Sequence, residues 1–380
     1  MKKTVMDGNM AAAHAVKLCD VKVVPNFPIT PQTEFIETLA KWKVNGMWNG
    51  EFLDLEGEHS VMSAAVASEA CGVRTFTASS SQGTLYMHEI MYVASGMRLP
   101  IVMLNASRGL SAPITLWTDH NDILAMRDAG WLIFFTQNNQ EVLDTIIQAY
   151  KISEDEQVLL PSLINMEGFI QSYTREPVEI PDYKKVRRFL PKYKPHTVLD
   201  PKNPMCLGIG AMGKDYMEFR SQEHKAQLNA IKKIKEVGKE FGKIFGRKYN
   251  IIEKYRTDDA DFVFVTTGAM STTVKEAVNY LREKNKKVGL LRLRTYRPFP
   301  EKDIQKALEN SKKIAVIDNN IAPGFGGIIY PEVRSALYGN KALISDFIVG
   351  LGGTRTGLKT FLEIYQKMSK DKKSKKYWLL

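Results

Sequence analysis

The chain has 380 residues, 44% of them hydrophobic and 25% charged, which is typical of a globular protein with about two or three domains. It contains no apolar run of about eighteen residues, which argues against a membrane-spanning helix. The formal net charge of +11 comes largely from two basic runs, 225–248 and 367–376.

The two basic runs do not indicate a nucleic-acid-binding protein. Neither has aromatic side chains interleaved on one face, and no nucleic-acid motif is present. Charged helix faces and solvated tails explain most runs of this kind, so we expect no nucleic-acid partner and a solvated, mobile tail over 367–376. Attraction to an acidic partner protein stays open.

The three cysteines, Cys19, Cys71 and Cys206, are widely spaced, and no C-x-x-C pattern occurs. They cannot by themselves hold an iron–sulfur cluster or a structural zinc, so we expect no metal site on this chain. Such sparse cysteines also suggest the reducing cytoplasm.

In chain order, the first predicted element is a helix that begins near Asn9. Its apolar stretch, 11–18, contains His14 and Lys17, so it is not expected to be a secretory signal. Strand-like runs then alternate with helical patterns such as 83–95 and 140–152, which predicts a doubly wound parallel sheet over roughly the first 170 residues. The candidate strands are 21–24, 52–55, 74–77, 101–105, 131–136 and 158–165.

The pattern changes after Pro177. Prolines space the segment 177–204, which is predicted to be extended, and a long charged helix over 216–245 follows. A second α/β block begins at Asp261, with strands expected at 262–266, 288–292 and 314–317. The glycine-rich stretch 324–327 is a weak phosphate-loop candidate, because a lone glycine cluster after a strand is usually a turn.

The stretch 27–33, Phe-Pro-Ile-Thr-Pro-Gln-Thr, lies between an apolar run and an amphipathic one. Thr30 fits a helix N-cap, and Pro31 fits the first helical turn, where its missing N–H costs nothing. An isolated Thr-Pro is most simply a helix cap. Ligands, however, gather where strand ends meet helix starts, because unpaired amides point outward there.

Three further strand-end loops share the polar chemistry of the first. In a parallel sheet all four would lie at the carboxyl edge, where they could converge on one ligand. The four loops are 28–31, 56–60, 79–83 and 107–113.

These loops strongly resemble the alpha subunit of the thiamine-diphosphate-dependent 2-oxoacid:ferredoxin oxidoreductases, pyruvate:ferredoxin oxidoreductase in particular. The resemblance covers essentially the whole chain. It also includes His-Glu at 88–89, Trp-Thr-Asp-His at 117–120 and Phe-Ile-Val-Gly-Leu-Gly-Gly at 347–353.

The resemblance implies that Glu58 contacts the ring nitrogen of the cofactor's aminopyrimidine, with Pro28 and Ile29 nearby. A carboxylate bonded to that nitrogen favours the imino tautomer, whose exocyclic nitrogen removes the thiazolium C2 proton. Such acid–base assistance is typically worth about 10²–10⁴ in rate. Two alternatives stay open: Glu58 stabilises only a helix N-terminus, or Glu56 has this role.

The resemblance also implies that Thr30 and Arg108 hold the carboxylate of a 2-oxoacid. A guanidinium fork can bind a carboxylate bidentately, and a hydroxyl can donate a further hydrogen bond. Two positions depart from the family. Phe27 stands where tyrosine is common, and Gly109 follows the arginine where alanine is common, which could loosen the loop.

The Gly-Asp-Gly motif that binds Mg²⁺ and the cofactor's diphosphate in thiamine-diphosphate enzymes is absent from the sequence. We therefore expect a beta subunit to carry the diphosphate half of the site with Mg²⁺. Further subunits would carry [4Fe–4S] clusters and the remaining domain. The resemblance implies a cytoplasmic enzyme of anaerobic metabolism that converts pyruvate and coenzyme A to acetyl-CoA and CO₂ and passes electrons to ferredoxin.

Three alternatives remain at this point. The same chemistry could act on a branched-chain or other 2-oxoacid, or the chain could be half of a non-oxidative thiamine-dependent decarboxylase. A charge-driven nucleic-acid or scaffold role would show salt-sensitive binding without thiamine dependence.

The expected division is a pyrimidine-binding-type domain over 1–257, a transketolase C-terminal-like domain over 258–366 and a basic tail over 367–380.

Overall fold

Two mainly parallel sheets, one in each half of the chain, organise the fold. The computed structural model describes residues 2–380. The strands are β1 (Lys2–Met6), β2 (Val23–Asn26), β3 (Glu51–Asp54), β4 (Phe76–Ser79), β5 (Val102–Ser107), β6 (Leu132–Phe135), β7 (Ser162–Glu167), β8 (Glu176–Ile180), β9 (Ile252–Tyr255), β10 (Phe262–Thr266), β11 (Val288–Leu293), β12 (Thr295–Arg297), β13 (Lys313–Asp318), β14 (Leu343–Ile348) and β15 (Lys376–Trp378). The helices are α1 (Gly8–Leu18), α2 (Thr33–Val44), α3 (Glu58–Ala70), α4 (Ser81–Tyr86), α5 (His88–Gly96), α6 (Asn121–Ala125), α7 (Asn139–Ser153), α8 (Ile170–Tyr173), α9 (Tyr183–Phe189), α10 (Gly213–Phe245), α11 (Met270–Glu283), α12 (Glu301–Leu308), α13 (Ile329–Ala336) and α14 (Leu358–Lys370).

The first sheet has the strand order β12-β6-β7-β5-β4, and β4 to β7 run parallel. The parallel pair β2-β3 continues it, because a parallel bridge joins Val23 to Thr75 and the Lys22 N–H donates to Arg74 O at 2.9 Å. The strands β3, β2, β4 and β5 therefore end side by side at one edge. The predicted α/β fold is confirmed.

Strand β12 belongs to the second half of the sequence but pairs antiparallel with β6 of the first sheet. The sequence pattern does not predict this pairing, because β12 has only three residues and its partner is remote in the chain. This pairing joins the second half of the chain to the edge of the first sheet.

The second sheet has the strand order β15-β14-β13-β10-β11-β9 and is parallel except for β9. Its three predicted strands correspond to β10, β11 and β13. The expectation of a mobile tail from 367 is wrong, since α14 continues to Lys370 and β15 pairs with β14. The Tyr377 ring stacks on Phe347 with 4.8 Å between ring centroids, and this packing fixes the strand.

The segment 177–204 is not extended throughout. It begins in β8, which pairs antiparallel with β1, and continues into α9. The Asp182 carboxylate accepts hydrogen bonds from Lys184 N and Lys185 N and caps α9. A seven-residue helix with a single good cap gives too weak a pattern among the prolines to be seen in the sequence.

Helix α10 confirms the predicted long helix and packs against both halves. Apolar residues every three or four positions face the core, and the left-handed Gly246 (φ 80°) ends the helix. Ion pairs join Lys233 to Asp155 and Lys235 to Asp303, each at 2.7 Å. No helix within residues 2–380 has both the length and the hydrophobicity to cross a bilayer.

Buried charges also join the two halves. Glu141 of α7 lies between two arginines at the end of β11, with Arg294 Nε 2.8 Å from its Oε1 and Arg292 Nη1 3.1 Å from its Oε2. All three side chains are almost completely buried. Removing one partner would leave the others as uncompensated buried charges, which costs about 3–5 kcal/mol.

The glycine-rich stretch 324–327 lies over two buried carboxyl groups, Asp318 and Asp346. Gly327 N donates to Asp346 Oδ2 at 2.9 Å, while Ile329 N and Tyr330 N donate to Asp318. A Cβ at Gly327 would collide with Asp318. The amides that would cradle a phosphate are therefore used by carboxylates, and the glycine serves close packing.

Burial, then the charge of Asp346, raises the pKa of Asp318 from its ordinary value of 3.8 to about 7. The folded protein therefore binds a proton that the unfolded chain releases near pH 4. The free energy of unfolding should fall as pH rises from about 4 to about 7, by about 1 kcal/mol per pH unit. Asp346→Asn should reduce this slope in part and stabilise the chain at pH 8, because the neighbouring charge is removed while the burial of Asp318 remains.

Urea unfolding at pH 5, 6, 7 and 8 would measure the effect. Asp258→Asn, at an exposed carboxylate, is the matched control and should keep the wild-type slope. An unchanged slope in Asp346→Asn would show that the charge of Asp346 does not raise the pKa of Asp318.

Candidate functional site

The four polar loops meet at the carboxyl edge of the first sheet. The loops after β2, β3, β4 and β5 are adjacent because those strands are neighbours in the order β3-β2-β4-β5. The edge where they meet is the place at which parallel sheets commonly bind ligands.

Glu58 is the first residue of α3, and only 8% of it is exposed. Its carboxylate lies against Gly83 of α4: a Cβ there would collide with Glu58 Oε1 and lie 2.5 Å from Ser79 Oγ. Within residues 2–380 no hydrogen bond to this carboxylate is formed. A buried acid without a donor, beside the unpartnered buried hydroxyls of Ser79 and Ser80, is suited to a polar ligand.

Glu56 is in a different environment. It is exposed to solvent, and its carboxylate accepts a hydrogen bond from Ser60 Oγ, which lowers its pKa. Of the two acidic residues considered for the site, only Glu58 is enclosed by the loops.

Arg108 joins two of the loops and is 6% exposed. Its Nη1 donates to the Thr30 carbonyl oxygen at 2.7 Å, and its Nη2 donates to Gln82 Oε1 at 2.8 Å. Its Nε is buried without a partner. The structure thus brings Thr30 and Arg108 together, through the Thr30 carbonyl and not its hydroxyl.

The predicted helix cap at Thr30 is wrong. Helix α2 begins at Thr33, and the preceding residue, Gln32, donates from Nε2 to Phe27 O at 2.9 Å. That bond closes residues 27–32 into a separate turn before the helix. Pro28 is exposed and Ile29 is half-buried in this turn.

Asp122 holds the arrangement together and was missed in the sequence. Its buried carboxylate accepts hydrogen bonds from the loops after β4 and β5 and from β5 itself, so it fixes where Arg108 and Ser81 lie. The only sequence signal is its place at the start of a short helix after the 107–120 loop. The donors are Ser81 N at 2.9 Å, Asn105 Nδ2 at 3.2 Å, Ser107 Oγ at 2.6 Å and Arg108 N at 3.1 Å.

Close packing around residue 109 explains why this position is a glycine. A Cβ at this position would lie 2.5 Å from Thr115 Cγ2 and 3.0 Å from Asp119 Oδ2. The Gly109 N–H donates to Trp117 O at 3.0 Å, so the loop folds back on itself. The glycine allows this close approach and does not loosen the loop.

Family models match both halves of the chain. The model described as pyruvate flavodoxin/ferredoxin oxidoreductase, thiamine diphosphate-binding, matches residues 14–239. Pyruvate:ferredoxin oxidoreductase core domain II matches residues 260–361. The chain belongs to the pyruvate:ferredoxin oxidoreductase family.

Individual relatives span nearly the whole chain. The pyruvate synthase subunit PorA of Pyrococcus abyssi is 48% identical, covering 92% of this chain and 90% of the relative. That of Methanothermobacter thermautotrophicus is 45% identical, with 92% and 91% covered. The ketoisovalerate oxidoreductase subunit VorA of Pyrococcus horikoshii is 44% identical, with 97% and 94% covered.

A solved structure supports the fold. The 2-oxoglutarate:ferredoxin oxidoreductase from Magnetococcus marinus superposes with a TM-score of 0.74 at 14% identity. The alignment covers 96% of this chain and 65% of that one. The chain thus shares the fold of this larger oxidoreductase but is shorter than it.

The loops fit one end of thiamine diphosphate. The buried, unpartnered Glu58 carboxylate and the unpartnered Ser79 and Ser80 hydroxyls suit the polar aminopyrimidine ring. Within residues 2–380 no cluster of three or more His, Cys, Asp or Glu side chains is placed to hold a metal ion. Residues 14–239 thus correspond to the thiamine diphosphate-binding domain of the family.

Gly83→Ala should lower turnover of the assembled enzyme about 100-fold, because the added methyl displaces the Glu58 carboxylate and misplacement by about 1 Å has that effect. Thermal stability should change little, since Ala favours a helix over Gly by about 1 kcal/mol and offsets the crowding. Gly96→Ala, with open space around its new Cβ, is the control and should keep full turnover. Equal turnover in the two variants would contradict a role for the space at Gly83.

Proposed function

We propose that this chain is the alpha subunit of a multisubunit pyruvate:ferredoxin oxidoreductase. The assembled enzyme would oxidatively decarboxylate pyruvate in the presence of coenzyme A, giving acetyl-CoA and CO₂, with two electrons passed to ferredoxin. The observation that carries this proposal is the likeness of nearly the whole chain to pyruvate synthase subunits at 45–48% identity. The unpartnered acid Glu58, enclosed by the four loops, supports it.

Glu58 is proposed to hold a proton at the ring nitrogen of the aminopyrimidine. Thiamine diphosphate supplies a carbon nucleophile and an electron sink for loss of CO₂. Burial of Glu58 strengthens its hydrogen bond to the ring, because little water competes for the carboxylate. Its position at the N-terminus of α3 also favours negative charge. Pro28 and Ile29 are proposed to lie against the same ring.

Arg108 and Thr30 are proposed to bind the carboxylate of the 2-oxoacid. Within residues 2–380 the Arg108 guanidinium forms no ion pair, so its charge is available to a substrate. Its bonds to Thr30 O and Gln82 Oε1 fix the plane of the guanidinium, and the unpartnered Nε remains a free donor. Such prior orientation lowers the entropic cost of binding.

The other half of the site is proposed to come from a partner. Because the Gly-Asp-Gly motif is absent, a beta subunit would bind Mg²⁺ and the diphosphate, and further subunits would bind the [4Fe–4S] clusters that lead to ferredoxin. The pyrimidine-binding-type domain is proposed to span 1–257 and the second domain 258–366. A branched-chain 2-oxoacid is the second candidate substrate, because ketoisovalerate oxidoreductase subunits are 44% identical.

The assembled enzyme should reduce a viologen dye with pyruvate and coenzyme A, and the isolated chain should not, because the diphosphate motif is missing. We expect kcat/KM for pyruvate to exceed that for 2-oxoisovalerate by at least about tenfold, the scale on which pockets separate methylene-level differences. Steady-state assays of the co-purified subunits would measure this. A higher kcat/KM for 2-oxoisovalerate would overturn the pyruvate assignment.

Glu58→Gln in the assembled enzyme should reduce kcat about 100-fold or more, on the scale of general acid–base catalysis, because a neutral amide cannot hold the ring-nitrogen proton. Subunit assembly should survive, since shape is kept. Glu56→Gln is the control at a neighbouring solvent-exposed acid and should stay near wild type. A damaging Glu56→Gln with a silent Glu58→Gln would reverse the assignment.

A further inference from the structure

A basic groove of about 950 Å³ lies between the C-terminal part of α10, strand β9 and helix α12. It shares no lining residue with the four site loops. Its lysines come from three separate segments of the chain. The lysines that line it are Lys235, Lys239, Lys243, Lys248, Lys254 and Lys306.

Most of this charge is not neutralised within the chain. The two acidic residues of the groove already have partners: Asp303 accepts from Lys235 at 2.7 Å, and Glu253 pairs with Arg292 at 2.7 Å. Within residues 2–380 no ion pair is formed by four of the lysines. These four are Lys239, Lys243, Lys248 and Lys306.

The arrangement differs from an ordinary solvated helix face. Lys232 and Lys233, elsewhere on α10, form ion pairs with Glu236 and Asp155. On the groove side, in contrast, Lys239 and Lys243 are one turn apart and follow Lys235 by the same spacing. Like charges four residues apart destabilise a helix, so an anion seated along this row would relieve the repulsion.

The floor of the groove suits an extended chain. Ile252, Glu253 and Lys254 all line it, although neighbouring strand residues point to opposite faces, so the edge of β9 itself lies in the groove. Strand β9 is the last strand of its sheet and pairs only with β11. Ile252, whose side chain is mostly buried in the core, anchors this part of the strand.

A small phosphate compound fits less well. Phosphate sites use converging donors, often arginine forks, but Arg292 and Arg294 are both bound to Glu141. The lysine row from 235 to 243 instead spreads point charges over about 12 Å. Carboxylates on alternate residues of an extended segment repeat about every 6.6–6.8 Å, close to the spacing of about 6 Å along the row.

We propose that the basic groove binds an extended acidic segment of a partner subunit, which adds along the edge of β9 and places its carboxylates against Lys239, Lys243 and Lys306. The proposal rests on the proposed function only in requiring a partner chain. Main-chain bonds to an edge strand would supply affinity, and the lysines would select an acidic sequence.

Zero-length carbodiimide coupling of the assembled enzyme, followed by mass spectrometry, tests the contact directly, because it joins only amines and carboxylates that touch. We expect amide links from Lys239, Lys243 or Lys306 to Asp or Glu residues of another subunit. Absence of such links would overturn the proposal. An enzyme active on pyruvate without these links would contradict the groove proposal and leave the proposed function intact. Links in an enzyme specific for another 2-oxoacid would support the groove proposal and contradict the pyruvate assignment.

Charge reversal gives a second measurement. The full chain carrying Lys239→Glu and Lys243→Glu should bind the purified partner subunits about tenfold more weakly, as expected for repulsion at a charged interface. The matched control, Lys214→Glu with Lys225→Glu at exposed lysines of the same helix outside the groove, should bind like wild type. Equal effects of the two pairs would overturn the proposal. If the charge reversal unfolds the chain, Lys239→Gln with Lys243→Gln removes the two positive charges without adding negative ones. This neutral variant should also bind the partner subunits more weakly than wild type.

Two further probes distinguish other occupants. Inorganic tripolyphosphate and a short single-stranded oligonucleotide should each fail to displace the partner subunits at equal concentration and moderate salt. Displacement by either one that is lost in the charge-reversal variant would identify a small-polyanion or nucleic-acid site and overturn the protein-segment proposal.

Discussion

The buried carboxylate of Asp122 is the constraint on which the candidate site depends. It accepts hydrogen bonds from Ser81 N after β4, and from Ser107 Oγ and Arg108 N at the end of β5. Hydrogen bonds to a charged group contribute about 1.5–3 kcal/mol each, and a buried donor left unpaired has a comparable cost. The loops after β4 and β5 therefore have one low-energy arrangement, and that arrangement places Arg108 beside Thr30.

This constraint explains how a site made of loops can be rigid. Arg108 extends the network from Asp122 to the 27–32 turn through Thr30 O, and Gln32 closes that turn onto Phe27. Glu58 stands outside the network, with a helix N-terminus behind it and Gly83 leaving room in front. Glu58 is thus an enclosed acid that no internal hydrogen bond within residues 2–380 uses, as a ligand-binding group requires.

Buried ion pairs and one strand pairing join the second half of the chain to the first. Glu141 between Arg292 and Arg294, and β12 against β6, join the two sheets through groups that would be costly to expose separately. The buried carboxyls of Asp318 and Asp346 beneath the glycine-rich loop have raised pKa values, so their ionisation near neutral pH lowers the free energy of unfolding. The unpaired lysines of the basic groove, in contrast, leave the chain's positive charge available to another subunit.

The sequence by itself determined the α/β class, most strands, the long helix α10 and the four polar loops, because apolar periodicity and strand-end polarity are local signals. The family resemblance singled out Glu58, Thr30 and Arg108 within those loops. The tertiary structure alone decided four other features. The Asp122 carboxylate accepts hydrogen bonds from several segments, and the Thr30 carbonyl accepts one from Arg108 where a helix cap was expected. Strand β12 pairs with β6 of the first sheet, and part of the basic C-terminus forms strand β15. Each depends on partners distant in the chain, such as Phe347 for Tyr377 and Phe134 for Thr295, and no local pattern of residues records which distant groups will meet.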